Sequence, residues 1–133
     1  MIDPTSSAPI DVYQEAFARH ELLYVRCLNC RVAQLPLASV CRICGSNDLA
    51  LDLSTQRGTL HSFTVIHRAP TAALREHTPY TLALVDMDEG YRLMVTLVAS
   101  SVPRIGDVVS LAWGPGFDGK HRPHAVLDGG DVA

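Results

Sequence analysis

Lysine is almost missing from this chain: Lys120 is the only one. Lys and Arg together number 11 against 14 Asp and Glu, for a net charge of −3 and a pI near 6.0. A general nucleic-acid binder neutralises phosphates with clustered cations, so this balance speaks against that class. No apolar run approaches the ~18 residues of a membrane span. Residues 1–9 hold two prolines and Asp3, with neither a basic segment nor an apolar stretch, so they do not read as a secretory leader. The expected location is therefore the cytoplasm. Internal repeats, low-complexity blocks, nucleophile motifs and phosphate-cradling glycine loops are also missing. Gly114-Pro115-Gly116 reads as a turn rather than a phosphate loop. An enzyme acting alone is not expected.

Against these absences stands one dense signal. The four cysteines, Cys27, Cys30, Cys41 and Cys44, are spaced C-x2-C-x10-C-x2-C. Each C-x2-C turn presents two thiolates on one side, and two such turns can enclose a tetrahedral ion with Zn–S bonds of roughly 2.3 Å. In a reducing compartment, thiols this close together serve as ligands rather than bridges. Structural Zn2+ is the expected occupant; other metals such as rubredoxin-type iron, a dithiol redox pair and two disulfides are the alternatives. Four thiolates close the coordination sphere, leaving no position for a catalytic water, so the metal is expected to stabilise the fold. Gly45, after Cys44, supplies the left-handed conformation such a turn needs, whereas Arg31 stands in the equivalent place after Cys30.

The chain divides by pattern into an N-terminal arm and helix (1–21), a metal module (22–53) and a β-rich part (54–133). Residues 1–9 read as a loose arm. Asp11 and Gln14 resemble a capping box, and Val12, Tyr13, Ala16 and Phe17 recur at helical spacing, which predicts a helix over about 11–21. Its Tyr13/Phe17 stripe either packs on its own domain or docks a partner. From Gly58 the pattern turns to β. Strands are predicted over 59–68, ended by Pro70, and over 80–87 and 91–99, joined by a turn at Asp88-Glu89-Gly90. Ala72–His77 reads as a helical turn. A strand over 108–113 is broken by Gly114-Pro115-Gly116, a short one near 123–127 follows, and 128–133 read as frayed. Five strands without a long helix among them suit an OB-fold, with an SH3-like barrel or an open antiparallel sheet as the other possibilities. The expected class is mainly β: an N-terminal helix, a rubredoxin-like zinc ribbon and a five-stranded barrel.

Several segments then coincide: the cysteine pattern followed by Gly45, the run from Gly58 through Ser62-Phe63-Thr64-Val65-Ile66-His67-Arg68 to Pro70, the segment Pro79–Val85, the acidic turn Asp86–Met94, and Ile105-Gly106-Asp107-Val108-Val109. Over residues 10–127 this resembles the zinc-ribbon plus OB-fold family associated with acyl-CoA enzymes, long catalogued as a domain of unknown function. The resemblance implies a helical-hairpin arm, a zinc ribbon and an OB barrel. It also implies a non-catalytic subunit bound to a thiolase, a thiolase-like aldolase of lipid or steroid metabolism, a hydroxymethylglutaryl-CoA synthase or a hydratase. The arm here is short for a full hairpin, and no hydratase domain is attached.

Phe63, His67, Arg68 and Tyr80 are candidate contacts for CoA or the partner: Arg68 for a phosphate, the aromatics for a groove. The bland reading is a solvated strand end for His67 and Arg68, and core packing for Phe63 and Tyr80. His61 carries no assigned role. Asp86, Asp88 and Glu89 read as ordinary solvated turn acids, and His121 and His124 as surface residues. The expected function is an accessory subunit that docks on a thiolase-like acyl-CoA enzyme and supports acyl-CoA binding. The alternative is a single-stranded nucleic-acid module, a role both zinc ribbons and OB-folds serve elsewhere.

Overall fold

A short helix opens the described chain because Tyr13, Ala16 and Phe17 repeat at the spacing that places them on one face. In the computed structural model, which describes residues 9–68, 71–75, 78–99, 101–116 and 119–127, helix α1 spans Pro9–Ala16. It tightens into a 3-10 turn over Phe17–Arg19, so the helix starts and stops earlier than the expected 11–21. The turn ends at His20, in the left-handed conformation with its N–H bonded to the Phe17 carbonyl. The expectations for residues 1–8, for Pro70, for His77 and for 128–133 fall outside the described residues.

Three short strands follow: β1 (Leu23–Cys27), β2 (Ala33–Gln34) and β3 (Leu49–Leu53), in the order β2-β1-β3, all antiparallel. The next five, β4 (Arg57–Ile66), β5 (Tyr80–Met87), β6 (Arg92–Val98), β7 (Val108–Pro115) and β8 (His121–Leu127), close a barrel in the order β4-β5-β6-β8-β7. Only β6 and β8 run parallel. This is the Greek-key strand order of the OB-fold, and it removes the SH3-like and open-sheet alternatives. Helix α2 (Ala72–Arg75) is the turn expected between the first two barrel strands.

Three details differ from the sequence reading. Strand β7 is not broken at Gly114: it runs to Pro115, paired Gly114↔Arg122 and Pro115↔His121. Pro115 is the last residue of the strand, where a missing N–H costs little. Strand β8 accordingly starts at His121 rather than Pro123. Strand β4 carries a bulge, because Leu60 pairs with Val85 and Ser62 with Leu84, leaving His61 as the extra residue. The bulge shifts the in-out alternation, so Leu60 is buried and Phe63 also packs against the core. At the start of the same strand, Gly58 pairs with both β5 and β7. A Cβ there would lie 2.5 Å from the Asp86 carbonyl oxygen and 2.7 Å from Val85 Cγ1, so the barrel can close only over glycine.

One continuous core joins the parts. Tyr13 and Phe17 of the arm, Leu22, Leu23 and Tyr24 of the ribbon, and Leu60, Val85, Leu93, Val109 and Ala125 of the barrel belong to it. Phe17 meets Trp113 edge-on at 5.3 Å and Tyr13 at 5.0 Å. The arm's aromatic stripe is therefore spent on its own barrel. Tyr24 stacks on Tyr91 at 5.4 Å and links ribbon to barrel.

Candidate metal centre

The ribbon exists to present its two turns. The first C-x2-C turn leaves β1, with the Arg31 N–H bonded to the Cys27 carbonyl at 2.8 Å. The second is built alike, with the Gly45 N–H on the Cys41 carbonyl at 2.9 Å. Both turns need a left-handed residue at the same place, and they have Arg31 (φ 70) and Gly45 (φ 78). The arginine thus carries the backbone strain that its position implies. Buried Gln34 braces the second turn: its Nε2 donates to the Val40 carbonyl at 3.2 Å, and its Oε1 accepts the Arg42 N–H at 3.1 Å. Nothing in the sequence pattern singled this residue out.

The four Sγ atoms all lie within 4.8 Å of one another. Cys27 Sγ is 3.5 Å from Cys44 Sγ, and Cys30 Sγ is 3.6 Å from Cys41 Sγ. These distances are far beyond a disulfide bond of about 2.05 Å, and all four cysteines are free. They approach the roughly 3.8 Å edge of a tetrahedron with 2.3 Å metal–sulfur bonds, so the donor set fits a metal ion. Cys27 and Cys41 are buried, and Cys30 and Cys44 face solvent.

The electrostatics point the same way. The Asn29 side-chain amide, 3.5 Å from Cys44 Sγ, and then the Ser46 N–H draw the Cys44 thiol down to about 6. The N–H of Cys44 lowers Cys41, with help from Ile43. The Val32 N–H pulls Cys30 down as well. Lost hydration and the three neighbouring sulfurs outweigh it and push that thiol up to about 12. Four sulfurs this close hold a proton among them unless a cation replaces it, and a divalent ion supplies that charge.

Elsewhere the surface divides. Phe63, His67, Arg68 and Tyr80 all lie on the β4–β5 hairpin, where Ile66 pairs with Tyr80 and Phe63 with Ala83. His67 and Arg68 are exposed just beyond the end of β4, whereas Phe63 is half-buried against the core. Tyr80 lines an open groove of about 970 Å³ with Tyr13, Phe17, Met94, Arg122 and His124, and the other three do not. The groove sits where β6 and β8 part, because they pair only at Leu97↔Ala125 and Val98↔Val126.

Two of the turn acids are not simply solvated. Glu89 Oε1 accepts from Ser54 Oγ at 2.9 Å, and its Oε2 accepts the Thr55 N–H. Its carbonyl takes Arg26 Nη2 at 3.0 Å. Glu89 therefore clasps the ribbon–barrel junction. Asp86 accepts from Arg92 Nε at 2.8 Å and lies 3.0 Å from His61 Nδ1. The Arg92 guanidinium, chiefly by hydrogen bonding, holds its carboxyl below the usual range. Both acids were legible only as a turn, since their partners come from other elements.

A four-cysteine ribbon sharing its core with an OB barrel places this protein among small metal-ribbon/OB modules. Residues 52–114 match the family described as "ChsH2, C-terminal OB-fold domain". The resemblance read from the sequence agrees with that match, and the chain is similar to proteins of the DUF35 kind. A protein of Methanothermobacter thermautotrophicus named "DUF35 domain-containing scaffold protein" is 29% identical over 98 residues, 71% of this chain and 73% of its own length. A Thermomonospora curvata protein named "Probable enoyl-CoA hydratase alpha subunit" is 34% identical over 101 residues, 74% of this chain; the chain spans 31% of that relative's length. Among solved structures, a chain of "Ltp2-ChsH2(DUF35) aldolase" superposes with a TM-score of 0.75 and 28% identity, over 94% of this chain and 98% of that one. A DUF35-family protein of unknown function from Sulfolobus solfataricus shares the fold, with a TM-score of 0.62 and 13% identity. No helix among the described residues is long and apolar enough to cross a membrane.

Proposed function

We propose that this chain is a non-catalytic accessory subunit that docks on a thiolase-like acyl-CoA enzyme, a thiolase or a retro-aldol lyase, and supports its assembly, acyl-CoA binding and activity. The observation that carries the reading is the near end-to-end likeness to the ChsH2(DUF35) aldolase chain. In this division of labour the partner brings nucleophile and base, and this chain brings surface. Residues 1–21 serve as the arm, 22–53 as the metal-bearing ribbon and 54–133 as the docking barrel. Exposed apolar side chains support a docking role, with Leu37 and Ile43 on the ribbon and Met94 and Val98 on the barrel. Phe63, His67, Arg68 and Tyr80 are the residues assigned to CoA or partner contact. The ion is Zn2+, held by Cys27, Cys30, Cys41 and Cys44 as a structural clamp. When bound it supplies charge neutralisation and rigidity, with no chemistry on substrate.

The test is reconstitution with a thiolase-like aldolase or thiolase from the same organism. The expected result is one species on size exclusion and acyl-CoA turnover that depends on this chain. A partner that runs separately and is fully active alone overturns the proposal. Retardation of single-stranded oligonucleotides with a steep salt dependence would favour a nucleic-acid module instead.

A further inference from the structure

His20 and His121 are 101 residues apart in the chain, yet His20 Nε2 lies 3.0 Å from His121 Nδ1. Their ring centroids are 5.0 Å apart, with 29° between the planes. That separation is close to the N···N distance plus one ring radius on each side. The imidazoles therefore meet end to end, as in an N–H···N hydrogen bond, and not face to face. The contact of His20 with Trp113 is different: the His20 ring lies parallel to the indole, at 5.4 Å and 3°. Trp113 Nε1 donates to Gln56 Oε1 at 2.8 Å, and Gln56 Nε2 donates to the His20 carbonyl at 3.0 Å. His20 also holds a left-handed backbone, φ 57, which is uncommon for a side chain of this size. Three separate contacts thus converge on the residue that caps the arm's helical turn, and both imidazoles are exposed to solvent.

We propose that His20 and His121 form a two-proton latch that holds the end of the N-terminal arm, the turn at His20, on the barrel while the pair carries at most one extra proton and frees that end when both rings are protonated. In the neutral pair, one ring's N–H donates to the other ring's lone pair. One added proton leaves an N–H donor facing a lone pair and makes the bond charge-assisted. A second proton occupies the last lone pair, and two N–H groups then confront each other with like charges. Imidazole is the side chain whose charge changes between pH 5 and 8, so the device works in a physiological window.

The surroundings are mixed in sign. Asp11 and Glu15 of α1 border the same cleft as His121 and favour positive charge; Lys120 and Arg122 border it and oppose. Arg19 is bonded to Glu21 at 2.8 Å, and Gln14, Gln56 and Trp113 are neutral. His124, farther along β8, is half-buried, and burial lowers its affinity for a proton. The latch borders the groove: Tyr13 and Phe17 line it where β6 and β8 part, so loosening the turn at His20 acts on one wall of it. The inference stands on these contacts whether or not the chain has an enzyme partner.

Trp113 is the single tryptophan and reports on the latch directly. On the metal-loaded full chain, Trp113 emission is expected to change as the pH falls from 7.5 to 5.5. Amide exchange of His20 and Glu21, whose N–H groups close the turn on the Phe17 and Ala16 carbonyls, is expected, once corrected for intrinsic rate, to rise at least roughly tenfold from pH 7.5 to 5.5. In H121Q the amide side chain donates and accepts without titrating, so a smaller emission change and pH-independent protection of the end of the arm are expected. H121Q keeps His124 and the cysteine cluster, so acid effects through those groups appear equally in both proteins. Equal arm protection at both pH values in the wild type, or H121Q tracking the wild type, overturns the proposal. Imidazole NMR of the wild type gives a readout that needs no variant: a hydrogen-bond signal between His20 Nε2 and His121 Nδ1 that is missing at pH 7.5, or unchanged at pH 5.5, overturns it as well.

Discussion

Glu89→Ala should destabilise the protein by an amount out of proportion to a turn residue. The carboxylate takes the Ser54 hydroxyl at 2.9 Å and the Thr55 N–H across the junction of ribbon and barrel. A hydrogen bond to a charged group is worth about 1.5–3 kcal/mol, and the partial exposure of Glu89 and exposure of Thr55 pull each toward or below the low end. The pair together should be worth about 2 kcal/mol. For a chain of this length that corresponds to a fall in Tm of roughly 6–10 °C. Glu89→Gln keeps one acceptor without the charge and should lose about half as much. Urea unfolding at saturating metal measures the difference, and a cycle with Ser54→Ala isolates the coupling. A Glu89→Ala variant within about 0.5 kcal/mol of wild type would show that the carboxylate is merely solvated and that the clasp carries no energy.

Cys41→Ser removes a buried ligand, and metal content measured by elemental analysis should fall from near one per chain to near none, with chelator-treated wild type showing the same loosened ribbon by NMR. Full metal retention would refute the four-thiolate site. Gly58→Ala places a methyl against the Asp86 carbonyl and Val85, and should cost about 2–4 kcal/mol in chemical denaturation, since the obstacle is backbone. Gln34→Leu leaves the Val40 carbonyl and Arg42 N–H without their partner and should cost about 1–3 kcal/mol, together with weaker metal retention under chelator competition. Asp86 has a folded pKa below its ordinary value of 3.8, so its contribution is present above that value and lost as pH falls through the folded one. Asp86→Asn should flatten that acid slope without altering stability changes above about pH 5. His124 is also depressed, so its share is present above 6.5 and lost as pH falls toward its lower folded value.

The sequence by itself determined the four-cysteine candidate site, the order of the parts and the strand periods. Four cysteines at knuckle spacing can converge because each turn is local: a few residues decide where two sulfurs point. Alternation and turn residues are local too, and they placed β5 and the Asp88–Gly90 turn within a residue or two. Everything that depends on a partner from elsewhere in the chain was decided only by the tertiary structure. Closure of β4 onto β7 over Gly58, the bulge at His61, the brace from Gln34, the clasp at Glu89 and the meeting of His20 with His121 each join residues far apart in sequence. A turn acid and a surface histidine have the same local signature whether they are solvated or clasped. Contact geometry, and not composition, separates the two cases, because a hydrogen bond forms or fails over tenths of an ångström that no local pattern encodes.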